Sequence, residues 1–397
     1  MLKRALMIAV LCGVFVSIDT IAQNTCGSTK LYCLIPTAFH TTTATFNFFN
    51  EAFGTQATQL PLATPASGFI FTFDKSLGVY TASNDSFGPI LTERAETIGR
   101  HKLYVAFTYQ HFGFDEIDGT NLKNVPIVFA FPSAQNPSVL TATNNRVDAK
   151  IDQYAAFASF GLTSRIDVSV AIPFERVSMG VSSKGTEYST TSSATASFQE
   201  FLPGSASGIG DVVLAAKGTV LKERQFGLAL GTEVRLPSGD ARNFLGSGAV
   251  GVKPYVALSR KGRIAPHLDL GYQWNGDSFL ATDKNGKEQQ LPTYFAYSGG
   301  ADIGVSKRLT VVADFLGQRF FSAPQISSPK SVSIPNQAGP FTSVEPITGS
   351  YSADNLGLGV KMSPIGHLLI TANVLIKLDN GGLRSKVVPM AGLSYSF

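Results

Sequence analysis

Charge, cysteine and long apolar runs are all scarce in this 397-residue chain. Asp, Glu, Lys and Arg make up 15% of it, against roughly 25% in ordinary soluble domains. A net charge of +4 is too weak a balance to point to a nucleic-acid partner. There are 3 cysteines and 5 histidines. The Cys26-x6-Cys33 spacing, with His40 nearby, matches no metal pattern, and His267 and His367 have no second His, Cys or carboxylate cluster at a ligand spacing. One apolar run stands out, "ALMIAVLCGVFVSI" close to the N-terminus. At about 14 residues it falls short of the roughly 20 that a helical span requires. No later stretch approaches such a length, so helical membrane crossings are excluded.

That first run is informative for another reason. Lys3 and Arg4 precede it and Thr20-Ile21-Ala22 follows it, the layout of a secretory signal peptide cut after Ala22. Cleavage removes Lys3, Arg4 and Asp19 and takes the charge from +4 to +3. Cys12 leaves with the signal, and the exported chain keeps Cys26 and Cys33. An even pair in an exported protein predicts a small disulfide loop; two free thiols are the other reading.

What the chain does have is alternation. In "RIAPHLDLGYQWNG" Leu268, Leu270, Tyr272 and Trp274 alternate with His267, Asp269, Gly271 and Gln273. In "FGLALGTEVRL" Phe226, Leu228, Leu230, Val234 and Leu236 alternate with Gly227, Ala229, Gly231, Glu233 and Arg235. "HLLITANVLIKLDN" does the same, with Leu369 and Leu375 as exceptions. Runs of this kind are about 10–12 residues long, twice an ordinary strand and long enough for a tilted transmembrane strand. An exported, low-charge, Gly-rich chain without helical spans reduces to one membrane architecture, because only helices and closed barrels satisfy their backbone in lipid.

The predicted fold is therefore an all-β transmembrane antiparallel barrel of about twelve strands: 101–114, 147–161, 166–181, 209–221, 226–236, 249–258, 264–274, 294–304, 309–321, 353–362, 367–378 and 386–397. Tight connections at 162–165, 222–225, 259–262, 306–307 and 363–366 alternate with long ones at about 115–145, 183–207, 237–248, 275–293, 322–352 and 379–385. Short periplasmic turns and longer external loops are the barrel pattern. The Ser/Thr-rich 183–207 and Pro/Ser-rich 322–352 segments read as loops rather than strands. "VDAKIDQYAAFASFG" at 147–161 alternates poorly. The last strand, "VVPMAGLSYSF", runs to Phe397 and must pair with the first to abolish the sheet edge. Residues 1–22 are then the signal peptide, 23–99 an N-terminal extension lying in the periplasm or plugging the lumen, and 100–397 the barrel.

Several stretches are similar to a known family. "FGPILTERAETIGRHKLYVAFTYQ" (87–110), "GIGDVVLAAKG" (208–218), "GLALGTEVRLPSGD" (227–240) and "NFLGSGAVGVKPYVALSRK" (243–261) resemble, in that order, the outer-membrane transporters associated with the meta-pathway of phenol degradation. That family is similar in logic to the long-chain fatty acid channels. The resemblance spans roughly 87–397 and implies a barrel with a transport role; it names no substrate. The terminal Phe397 on an alternating strand also resembles the signature that outer-membrane barrels present to their assembly machinery.

Parity places candidate residues for the lumen or substrate path at Asp211, Lys217, Glu233, Arg235, Lys253, His267, Asp269, Gln273, Asp314, Lys361, His367 and Asn373. Asp167, Glu175, Asp302, Gln318 and Lys377 share that face, with Phe157, Leu316, Leu369 and Leu375 as apolar breaks in it. The plain reading is that the charged groups pair with one another and fill the interior; the functional one is that some line a route for solute. No cofactor site is predicted. Asp269 beside His267 is a conceivable orienter of a general base, but there is no Gly-x-Ser-x-Gly elbow, and "GSGAVG" and "GIGD" lack the Lys and helix of a phosphate loop. The expectation is a non-enzymatic channel for small hydrophobic or aromatic solutes, with outer-membrane lipid, lipopolysaccharide and the barrel-assembly machinery as partners. An anchoring or display barrel, or a barrel-borne lipid hydrolase, is the alternative.

Overall fold

The computed structural model describes residues 30–38, 43–62, 70–74, 79–83, 86–130, 139–223, 225–283 and 286–397. Twelve antiparallel strands close into a ring. They are β1 Leu103–Gly113, β2 Val139–Gly161, β3 Ile166–Ser189, β4 Val213–Lys222, β5 Phe226–Arg235, β6 Gly251–Arg260, β7 Ile264–Asn275, β8 Thr293–Ser306, β9 Leu309–Ile326, β10 Pro346–Met362, β11 Leu368–Lys377 and β12 Val387–Ser396. Each pairs with its sequence neighbours, and β12 returns to β1 with Met390 opposite Gln110 and Ser396 opposite Tyr104. The Phe397 N–H adds a last bond to the Leu103 carbonyl at 2.8 Å. Phe397 is thus held by the seam it closes, which leaves no edge open in the twelve-strand ring.

The outward face is apolar where it meets lipid. Leu230, Leu258, Leu268, Val311, Leu358 and Leu393 are all exposed there, an arrangement stable only against hydrocarbon. Aromatic pairs mark both rims, among them Tyr272–Trp274 at 4.7 Å on the loop side and Tyr395–Phe397 at 4.7 Å on the turn side. The short connections all lie on one side; in 363–367 Gly366 takes φ +52°, a conformation that an L side chain resists.

β2 and β3 run well past this band, and their polarity reverses as they leave it. On β3 the outward residues are Ile166, Val168, Val170, Ile172 and Phe174, then Arg176, Ser178 and Ser182; the inward ones are Asp167, Ser169 and Glu175, then Val177, Met179 and Val181. β2 does likewise, from Phe160 and Tyr154 to Asp152, Lys150 and Asp148 outside, and from Ser159 and Gln153 to Ile151, Ala149 and Val147 inside. The boundary falls between the cross-strand pairs Tyr154–Phe174 and Asp152–Arg176. This is why 147–161 alternates poorly: one strand crosses from lipid to water, and the sign of its alternation inverts midway.

Three expectations need correcting. Residues 183–207 are not a loop: β3 continues to Ser189, the tip is short, and Thr195–Ile209 pairs back along β3 from Tyr188 to Phe174. Outside the membrane, Ser and Thr suit a strand solvated on one face, so composition concealed the ladder. Similarly β9 extends to Ile326 and β10 begins at Pro346, so 322–352 is partly strand. The expected strand 209–221 is broken at Gly210-Asp211-Val212, where the Val212 N–H turns to the Ser238 hydroxyl at 2.9 Å.

Of the N-terminal extension, 30–38, 49–62 and 86–98 are packed within the barrel. α1 (Leu34–Ala38) and α2 (Thr43–Ala57) sit at the loop end. Phe49 and Phe53 are fully buried there, and Phe53 packs edge-on to Phe244 at 5.3 Å. Residues 87–98, without regular structure, are buried at the turn end. The signal-peptide expectation for 1–22 and Cys26 lie outside the described residues. Cys33 is disulfide-bonded, to a partner also outside them.

Candidate functional site: a chamber between two plugs

An irregular segment buried in a barrel must find partners for every backbone group. Residues 86–98 find them on side chains of the wall. The N–H groups of Phe87, Ala95 and Ile98 donate to Thr310 Oγ1 (3.1 Å), Ser259 Oγ (3.1 Å) and Asp167 Oδ2 (2.9 Å). The carbonyl of Ala95 accepts from Thr219 Oγ1 at 2.6 Å, and that of Arg94 from Lys217 Nζ at 2.9 Å. Lys361, 1% exposed, donates to the carbonyls of Phe87 and Pro89. Lys217 also pairs with Glu93 at 2.9 Å, both side chains buried. Gly88 has φ +78° and lies against the Arg94 guanidinium, where an added Cβ would come within 2.6 Å of Nη1. Much of the predicted lumen chemistry therefore holds the plug rather than facing water.

The same is true of the histidine cluster. His267 Nε2 lies 2.7 Å from Asp314 Oδ1, and Nδ1 lies 3.3 Å from Asp302 Oδ1. Asp269 is not its orienter, as the sequence suggested; Asp269 Oδ2 accepts the Glu93 N–H at 3.3 Å. The Ser86 hydroxyl reaches Asp302 and not the imidazole, so the cluster joins plug to wall without a serine–histidine pair. His367 stands ahead of β11 at the turn rim, its Nδ1 3.2 Å from the Ser396 carbonyl, away from any solute route. Asn373 is buried beside the plug, where it and Ile90 both abut Gly359.

At the loop end the cap is tied by fewer polar contacts. Glu51 of α2 accepts from Thr282 N and Oγ1, both at 2.9 Å, and burial raises its carboxyl above the usual range against those bonds. Lys30 pairs with Asp240 at 2.7 Å. Partial burial opposes ionisation of Asp240, yet Lys30 and Asn243 hold its carboxyl below its ordinary value. Asp211 serves this end too, accepting from Ser247 N at 2.7 Å and Gly239 N at 3.1 Å to pin the loop 236–250.

Between cap and plug lies a cavity of about 220 Å³. Its floor includes Leu91, Glu93 and Ile98 of the plug; its roof is Ala57–Leu62. Of the twelve predicted path residues, Asp211, Lys217, Glu233, Arg235, Lys253, Asp269 and Gln273 line it. Asp314, Lys361, His267, His367 and Asn373 do not. The walls differ. From β3 through β7, and Glu93 of the plug, come the charged residues, with Tyr255 of β6 and Tyr294 of β8; Phe157 of β2, Leu316 of β9 and Leu375 of β11 supply apolar surface on the rest of the ring, extended by Leu60 and Leu62. A smaller cavity of about 60 Å³ adjoins it on the loop side, sharing Gln59, Leu60, Pro61 and Leu375 and reaching Phe320 and Tyr351. Three of the four apolar breaks named from the sequence also line the larger cavity, whereas Tyr255 and Tyr294 of its wall were not named. Sequence reading missed Leu60, Leu62 and Leu91, since they belong to segments without period.

Among the described residues no group of three or more His, Cys, Asp or Glu could hold a metal ion.

The family model described as "Putative MetA-pathway of phenol degradation" matches residues 131–325. This is the family the sequence resembles. The match to it runs from just before β2 to the end of β9 and includes three of the four stretches that carried the resemblance; 87–110, which holds the plug, lies ahead of it. No curated protein matches the sequence. Among solved structures the chain is similar to an outer-membrane channel of Pseudomonas putida F1, at 12% identity and a TM-score of 0.47, covering 76% of this chain and 98% of that one. It is also similar to the NanC porin (10% identity, TM-score 0.38, 74% and 98% covered) and to a Pseudomonas aeruginosa FadL homologue (11%, 0.31, 83% and 98%). At these identities the likeness concerns the barrel fold alone.

Proposed function

We propose that the protein is an outer-membrane channel for small hydrophobic or aromatic solutes. It reaches the membrane through a signal peptide cleaved after Ala22 and is inserted by the barrel-assembly machinery, which reads β12; its outer rim meets lipopolysaccharide. Cys26 is the disulfide partner of Cys33. The exported domains are then the extension 23–99 and the barrel 100–397. The observation that carries the reading is the two-walled chamber. A lumen serving only to close the barrel has no use for a cavity with Leu316, Leu375 and Phe157 on one side and Glu233, Lys253 and Asp269 on the other. The adjoining cavity beneath Phe320 and Tyr351 supplies a second stop toward the loop side.

In this mechanism the apolar wall takes up a ring or short alkyl body, while the polar wall orients its functional group. The plug moves aside to release the solute into the periplasm. The path residues with a direct part are the seven that line the chamber; Lys361, Asp314 and His267 act by positioning the plug. Liposomes containing the full-length protein should take up small aromatic compounds faster than empty liposomes, and more so once residues 23–99 are deleted. Uptake equal to that of empty liposomes with both proteins would overturn the channel in favour of an anchoring barrel.

A further inference from the structure

Six acids line the chamber, and only three bases. Every base is in an ion pair: Lys217 with Glu93 (2.9 Å), Lys253 with Glu233 (2.8 Å), and Arg235 with Asp211 (3.7 Å), its Nη2 also donating to Asn275 (2.7 Å) and its Nε without a hydrogen-bond partner. Three carboxylates remain without a cation. Asp167 accepts one bond, from the Ile98 N–H; Glu175 accepts from Gln153 Nε2 at 2.9 Å; Asp269 accepts the Glu93 N–H. Asp167 is 4% exposed and its Oδ1 has no partner. Asp269 Oδ1 is likewise buried and without one. Buried acceptors left unmade are costly and call for a donor. The three groups stand on β3 and β7 and face a space bounded on its far side by Leu316, Leu375 and Leu60.

We propose that the chamber binds one amphipathic solute whose polar end donates hydrogen bonds, an ammonium or a hydroxyl, and that it disfavours carboxylates. The inference rests on reading the chamber as a stop on the solute's route. Size fits: a cavity of roughly 150 Å³ already holds benzene, and this one is about 220 Å³. An ammonium or hydroxyl on such a ring donates to Asp167 Oδ1 or Asp269 Oδ1 while its body lies on the leucines. A carboxylate there adds another acceptor beside acceptors already lacking donors, and every base is already in an ion pair.

The test is equilibrium binding to the full-length protein in detergent, followed by ligand-observed NMR, with three probes of one shape: benzylamine, benzyl alcohol and benzoate. Both donors should bind at least about tenfold more tightly than benzoate, the return from one hydrogen bond to a charged group. Amine above alcohol assigns the site to ammonium compounds, and the reverse order to hydroxyl compounds. In the Asp167→Asn, Asp269→Asn double variant the preference for the amine over benzoate should fall about tenfold, with the barrel still heat-modifiable on a gel. Benzoate binding as tightly as benzylamine overturns the proposal, as does an unchanged preference in the folded double variant. Should that variant not fold, the order of the three probes on the native protein decides. Donor-selective binding without liposome uptake would sink the channel reading and leave this inference standing; uptake without donor preference does the opposite.

Discussion

The lower and outer halves of β3 have the same backbone and opposite chemistry. Up to Glu175 the strand shows Val170 and Ile172 to lipid and Asp167 and Glu175 to the lumen; beyond it, Arg176 and Ser178 face water and Val177 and Met179 are buried. The interiors follow suit. The lower one holds an irregular plug by charge and hydrogen bond, the outer one holds α2 by Phe49, Phe53, Phe244 and Leu280. What changes between them is the medium outside the wall. Against lipid, apolar groups are stable outside and polar ones must find partners within; against water the ordinary burial rule returns. Alternation identifies a strand, and its sign identifies the solvent.

The largest expected effects break the two interiors in their own terms. Lys217→Met strands Glu93 as a buried charge, at a cost of about 3–5 kcal/mol, and should free the plug; single-channel conductance in planar bilayers should rise while the barrel stays heat-modifiable. In the outer half Phe53→Ala should cost about 3–5 kcal/mol through the cavity it leaves, loosening α2 without opening the turn end. If both variants raised conductance alike, the separation of plug from cap would be wrong. Next in size is a pair of outward substitutions on one strand. Val170→Arg, at mid-bilayer, should cost about 2–4 kcal/mol, whereas Ser178→Arg should stay within about 0.5 kcal/mol. Unfolding by urea in lipid vesicles measures both, and equal costs would misplace the water boundary.

The smallest effect is electrostatic. Because the Asp240 carboxyl is held below its ordinary value in the folded chain, its pairing with Lys30 stabilises above the unfolded carboxyl range, near pH 4. That stabilisation is lost as pH falls through the folded value. Asp240→Asn should therefore cost less than about 1 kcal/mol at pH 7, and the difference from the native protein should vanish near pH 2. A difference that persisted in acid would mean that Lys30 contributes by packing rather than by charge.

How much of this was legible in the sequence follows from what leaves a period. The twelve strands did, because in each one face meets a single medium over about ten residues; β5 to β8 were placed to within two residues at either end. β2 was the weakest because its sign inverts at Tyr154, and a pattern summed across the inversion cancels. Thr195–Ile209 was missed because a strand in water needs no apolar face when β3 supplies its ladder. The plug had no periodic trace at all, since its backbone is bonded to side chains from six different strands rather than to itself. Asp269 was accordingly given to His267, when only the plug's backbone explains where its bond goes.

The seam between β1 and β12 also bears on time. α2 lies at the loop end, residues 87–98 lie at the turn end, and the chain enters β1 at the turn end with Leu103. Described segments ahead of β1 thus stand at both ends of the lumen, and the ring around them closes only where residues 390–396 pair with 104–110. A barrel closed early would leave those segments to thread a bore already filled by Lys361, His267 and Phe157. The topology therefore makes the β1–β12 seam the place where the wall is fastened over its contents.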